Sequence, residues 1–109
     1  MTVIYYDLET TGLNNRGRQR GVEIVSIGAV TEHGATFHRY IEPPCDIDPE
    51  ATAVHGISLI QEGYLRYLIK NGEWKENALD PKSGLQKFMD WLATNNANIL
   101  VSFSLQFNY

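Results

Sequence analysis

With a single cysteine, Cys45, the chain can form no internal disulfide, and none of its 109 residues belong to a stretch approaching the roughly 20 apolar residues that cross a bilayer. The N-terminus has no basic segment and Asp7 interrupts its apolar start, so it does not read as a leader peptide. These absences fit a reducing compartment, cytoplasmic or nuclear, and no membrane partner. Positive charge is also scarce: 9 Lys and Arg face 13 Asp and Glu, a net charge of -4, which argues against a basic coat for nucleic acid. Acidic groups are, however, what a cation site is made from. There is no internal repeat, low-complexity tract or interdomain linker, and 109 residues suffice for one domain with a modest core.

Apolar patterning supplies the elements. Thr2 to Tyr6 is rich in β-branched and aromatic residues and reads as a buried strand ending at a turn, Thr10-Thr11-Gly12. Asn14 to Gly21 is polar and glycine-rich, a loop; Glu23 to Thr31 is a second strand, joined through Glu32-His33-Gly34 to a third over Ala35 to Ile41. Pro43-Pro44 ends that strand, and the residues up to Gly56 show no periodicity. Ser58 and Gln61 form a capping box, so a helix is expected behind them with Leu65, Leu68 and Ile69 on one face and Asn71-Gly72 as its stop. Asp80-Pro81 opens a second helix, with Leu85, Phe88, Met89 and Leu92 at helical spacing, and Asn98 to Ser102 is a last apolar strand. Strands, helices and one more strand predict a mixed α/β layer architecture. No covering helix follows the last strand within these residues, so an exposed edge that favours self-association is expected.

Chemistry concentrates at Asp7 and Glu9. Two apart on an extended strand, their side chains project to the same side, and like charges that close are costly unless a cation lies between them. Oxygen ligands of this kind suit a divalent metal, and the apolar strand gives them a rigid mount. A bare D-x-E more often ends a strand in solvent.

The residues around the pair change that balance. Asp7-Leu8-Glu9-Thr10-Thr11-Gly12-Leu13 after an apolar strand, then Ile24 to Val30, then Ile47, Pro49, Ala51-Thr52 and Val54-His55-Gly56-Ile57-Ser58, resemble the DEDD proofreading exonuclease family in its order and at its spacings. The resemblance covers nearly the whole chain. It implies an RNase H-like fold, of which residues 1–109 are a single, incomplete domain truncated at the C-terminus, and removal of nucleotides from the 3′ ends of single-stranded DNA or RNA. It further implies that Asp7 and Glu9 are catalytic metal ligands for magnesium, with manganese as the expected substitute. In the family's two-metal scheme the ions activate a water and stabilise the leaving oxygen. Thr10, Thr11, Leu13 and His55 would lie against the terminal nucleotide. His55 is not the family's histidine base, which belongs to a later motif; it either contacts substrate or bonds to backbone in a tight turn.

Other residues admit two readings. Arg16, Arg18 and Arg20 either engage phosphates or are solvated, and Trp74 could be a stacking platform for bases, a reading left open. Trp91 reads as partly buried core, and His33 and His38 as solvated.

One departure from the family pattern is plain. After the last strand the family continues with Phe-Asp, its second acidic motif, whereas here Phe107 is followed by Asn108, an uncharged amide that is a poor ligand for a hard cation. The third motif, with the histidine base and last aspartate, does not occur in these residues. The alternative is therefore a catalytically degenerate RNase H-like module that binds nucleic acid or protein.

Overall fold

The computed structural model describes residues 2–12, 22–63, 65–75 and 78–102. The apolar start forms β1 (Thr2–Thr10), which continues through the acidic pair where the sequence suggested a stop at Tyr6. It pairs antiparallel with β2 (Ile24–Thr31), which pairs antiparallel with β3 (Thr36–Tyr40). Pairing aligns Asp7 with Gly28 and His38, and Glu9 with Ser26 and Tyr40, so these six residues share one face. Tyr6, Leu8, Ile27, Ala29 and Phe37 share the other. Between Glu9 and Thr10 the register shifts, because Glu9 pairs with Ser26 and Thr10 with Ile24. This bulge turns Val25 out of phase: Ile24 and Ile27 join one apolar cluster and Val25 the other.

Two sequence expectations fail in the middle of the chain. The stretch before Gly56 contains a helix, α1 (Pro49–His55), preceded by Asp48 and closed by Gly56 in the left-handed conformation (φ 75°). Its proline start is the signal that also opens the later helix, but seven residues are too few to show periodicity. The helix expected after Ser58 does not form. Instead β4 (Ile57–Glu62), β5 (Leu65–Lys70) and β6 (Glu73–Lys75) make a separate antiparallel sheet. Asn71 (φ 50°) and Gly72 (φ 86°) join Lys70 to Glu73 in a two-residue turn with both φ angles positive, the Asn-Gly hairpin turn, and do not stop a helix. Ile57 and Leu68 gain burial against Val25 in this arrangement, which outweighs the helical spacing of Leu65, Leu68 and Ile69.

The second helix, α2 (Pro81–Thr94), forms as expected, with the Asp80 carboxylate accepting from Ser83 N–H at 3.1 Å. It covers the Phe37 face of the main sheet, where Phe88 and Trp91 lie 5.3 and 5.6 Å from the Phe37 ring. Gly84 permits the approach: a Cβ there would sit 2.7 Å from Ile41 Cδ1. Because Gly84 and Phe88 form the inward ridge, Leu85 and Met89, each one residue on, are turned into solvent, contrary to the expected apolar face. Last comes β7 (Ala97–Ser102), parallel to β1, giving a mixed sheet ordered β3-β2-β1-β7. Ile99, Leu100 and Val101 are exposed on this edge strand. No helix among the described residues is long and apolar enough to cross a membrane.

Candidate metal site and its support

Asp7 and Glu9 lie on β1 itself, about 6.6 Å apart along the strand, on the face that α2 does not cover. Both are half-buried. Oδ1 of Asp7 is shielded from water and has no hydrogen-bond partner among the described residues. An ionised oxygen left in that state is costly, and a cation is the partner that would satisfy it. The donor set therefore fits a hard divalent ion, though only in part: no group of three or more His, Cys, Asp or Glu able to hold a metal occurs among the described residues.

The turn after the pair is tied down from three sides. Thr10 and Thr11 are buried, and their hydroxyls accept from Gly12 N–H (3.3 Å) and Glu23 N–H (3.1 Å). Thr11 also donates its N–H to Glu23 O, and its carbonyl accepts from Asp48 N–H, each at 2.8 Å. Gly12 (φ 119°) passes so close to Asp48 that a Cβ would fall 2.5 Å from its Oδ2, leaving no room for another residue.

His55 makes the third tie. Only 5% exposed, it accepts from Ile57 N–H at Nδ1 (3.0 Å), which assigns the proton to Nε2, and Nε2 donates to the Thr10 carbonyl at 2.8 Å. These are the backbone hydrogen bonds of one sequence reading. With both ring nitrogens engaged, any contact with substrate would fall to the ring carbons. Lys70 extends the chain of contacts by donating to the His55 carbonyl, and Asn71 N–H donates to Gly56 O at 2.9 Å, so the hairpin sheet braces α1 against the metal-site strand. Nothing in the helical spacing at Leu65 to Ile69 pointed to Lys70; the Asn-Gly turn was the signal that could have.

Leu13, the loop arginines Arg16, Arg18 and Arg20, and Asn108 lie outside the described residues. Both remaining histidines are exposed, as expected of solvated residues; His38 in addition reaches Ser26 Oγ through Nε2 (3.1 Å) on the Asp7 face. Burial foremost, then Lys70, Arg39 and Lys75, hold its imidazole below the ordinary histidine range. Trp91 is half-buried against Phe37, as expected of core, whereas Trp74 is exposed.

Comparison with known proteins agrees with this geometry. The family model RNase_T, described as an exonuclease, matches residues 4–106. DNA polymerase III subunit epsilon of Escherichia coli is 44% identical over 61 residues, covering 50% of this chain and 25% of that protein. The same subunit from Haemophilus influenzae is 36% identical over 104 residues, covering 90% of this chain and 35% of its own length. The chain thus spans a quarter to a third of the curated relatives it matches. Among solved structures, the nuclease domain of 3'hExo, a DEDDh family member bound to rAMP, superposes with a TM-score of 0.64 at 16% identity, over 98% of this chain and 54% of that one. At that identity the likeness is one of fold.

Proposed function

Since this chain belongs to the DEDDh 3′-to-5′ exonuclease family, the group of the RNase T and DNA polymerase III epsilon domains, we propose that Asp7 and Glu9 are its share of a divalent-metal site for hydrolysing 3′-terminal phosphodiesters of single-stranded DNA or RNA. The observation that carries this reading is the buried, unpartnered Oδ1 of Asp7, on the same face as Glu9. Magnesium is the expected ion and manganese its substitute; when bound, such ions supply activation of the attacking water and neutralise charge on the leaving 3′ oxygen. The chain's own residues hold the ligands in place. The sheet fixes the spacing of the carboxylates, and His55 fixes the turn that follows by holding the Thr10 carbonyl. Thr10, Thr11, Leu13 and the ring carbons of His55 are the proposed contacts of the terminal nucleotide.

With two carboxylates of its own, the chain binds manganese weakly, because the rest of the coordination shell must come from water or substrate phosphate. Titration followed by manganese electron paramagnetic resonance tests this: Asp7→Asn together with Glu9→Gln is expected to abolish the bound signal, and a signal that survives both would take these residues out of the site. We further propose that these 109 residues alone do not turn over 3′-labelled oligonucleotides, whereas a longer form with further acidic ligands does. Degradation by the 109-residue chain that the double variant abolishes would contradict that. A second reading, a nucleic-acid-binding module that keeps the fold without the chemistry, is favoured by one observation, the lack of any three-ligand cluster among the described residues.

A further inference from the structure

The face that carries Asp7 and Glu9 does not end at β1. Cross-strand pairing continues it through Gly28 to His38 and through Ser26 to Tyr40, two strands or about 10 Å away. Gly28 keeps the path low because it carries no side chain between Asp7 and His38. Beyond Tyr40 the hairpin sheet takes over. Lys75 Nζ lies 5.5 Å from the centre of the Tyr40 ring, and His38 meets that ring edge-on at 4.7 Å. Next to Lys75 opens a cavity of about 460 Å³, in whose wall Trp74 and Tyr67 meet edge-on at 5.2 Å with Arg66 beside them. On the β3 side, Arg39 and Lys87 line a second cavity of about 400 Å³.

Positive charge is concentrated here in a chain whose net charge is -4. Among the described residues, Arg66 and Lys75 line the first cavity with Glu42, Glu73 standing beside Lys75, while Arg39 and Lys87 line the second around the β3 edge, Arg39 lying over the Phe37 ring. Existing ion pairs leave the cations available: Arg66 to Glu42 at 3.9 Å and Lys75 to an exposed Glu73 at 3.4 Å are loose surface contacts. Partial burial foremost, and then Lys70, Arg39 and Lys75, lower the proton affinity of His38 at the edge of this surface. Trp74, 57% exposed, presents an indole that nothing on the core side requires.

We propose that this cationic, aromatic surface, from the His38 edge of β3 to Trp74 on β6, binds the part of a single-stranded nucleic acid that leads away from the Asp7 and Glu9 end. Alternating rings and cations match a strand in which bases alternate with phosphates. A duplex hides its base faces within the stack, and an acidic peptide has no use for an exposed indole, so single-stranded nucleic acid is the occupant the chemistry selects. The inference rests on reading the chain as one that handles nucleic-acid 3′ ends, but the surface is separate from the metal ligands and can be tested without them.

The test is fluorescence anisotropy of 5′-labelled oligothymidylate with the 109-residue chain, in chelator so that the carboxylate pair contributes no bound ion. Binding should weaken steeply with salt. Lys75→Gln should flatten the slope of log affinity against log salt by about 0.7, one phosphate contact, and Lys75→Arg should restore it. Trp74→Ala should weaken binding roughly five- to hundredfold, and Trp74→Phe should recover most of the loss. Melting curves matching the unmodified chain establish that each variant is folded. Unchanged affinity in both Trp74→Ala and Lys75→Gln overturns the proposal. So does the absence of binding by the folded chain, or equal competition by duplex DNA, polyglutamate or phosphatidylserine vesicles. In an Asp7→Asn, Glu9→Gln background, which removes no ring or cation of this surface, the Trp74 and Lys75 effects should persist. Failure of the manganese test with the Trp74 and Lys75 effects present would therefore sink the metal-site reading and not this one, and the reverse pattern would do the opposite.

Discussion

Strands β1, β2 and β3 of the main sheet present two faces, and these differ in what covers them. On one, Ile27, Phe37 and Ile41 are sealed beneath Phe88 of α2. On the other, Asp7, Glu9, Ser26 and His38 stand beside a hairpin sheet that packs only near the Tyr40 end, through Val25, Ile57 and Leu68. Since strand side chains alternate, adjacent residues serve opposite ends: Leu8 packs into the core while Asp7 and Glu9 on either side of it face the open surface. A core face derives stability from burial, whereas the open face holds groups that stability alone would not select.

The sharpest break of this contrast is Phe88→Ala. It removes a buried ring in contact with Phe37 and Trp91, and urea unfolding should show a loss of about 3 to 5 kcal/mol. Next is His55→Ala, at the junction of the two regions. It strands the Ile57 N–H and the Thr10 carbonyl in a buried setting, an expected loss of about 2 to 4 kcal/mol; a smaller loss would mean that water replaces the imidazole. Asp7→Asn tests the open face itself. Removing the charge from a half-buried carboxylate whose Oδ1 has no partner among the described residues should leave stability equal or higher by up to about 1 kcal/mol in chelator, while a clear loss would reveal a structural partner for the carboxylate.

The smallest effect belongs to His38. Its folded-state proton affinity is lowered, mainly by burial and then by Lys70, Arg39 and Lys75, so below about pH 6.5 the unfolded chain takes up a proton that the folded chain declines. The contribution to stability is thus complete above that pH and fades as pH falls through the folded midpoint. Nuclear magnetic resonance titration should place that midpoint below the ordinary histidine value, and Lys75→Gln should move it back upward by a fraction of the shift. An unmoved midpoint would detach Lys75 from the His38 surface.

Legibility in the sequence followed the length of each pattern. The first three strands and the last could be read from apolar, β-branched runs, α2 because it repeats its period several times, and Asp7 and Glu9 because the residues around them resemble a known family as well as because a period of two puts them side by side. α1 is too short to repeat anything. The region from Ile57 to Lys75 misled because Ser58 to Gln61 imitates a capping box and Leu65, Leu68 and Ile69 recur at helical intervals. Its Asn-Gly pair and its β-branched and aromatic residues were the better guide. The inward ridge of α2 was misjudged for another reason: Gly84, which carries no apolar side chain, decides how the helix sits, through its closeness to Ile41. The support of the site by His55 and the extension of its face to His38 depend on contacts across 45 residues and on three-strand register, which no local pattern encodes.

That support has a consequence for inheritance. In the link from Lys70 to His55 to Thr10, both acceptors are main-chain carbonyls, so neither depends on the side chain of the residue that supplies it. The side chain of residue 10 takes no part in this link, its hydroxyl serving the Gly12 N–H instead, while the imidazole at 55 accepts on one nitrogen and donates on the other. Paired substitutions between positions 10 and 55 would then leave no trace across descendants. The brace would show as an invariant histidine and an invariant lysine, the acceptors of both hidden in the backbone.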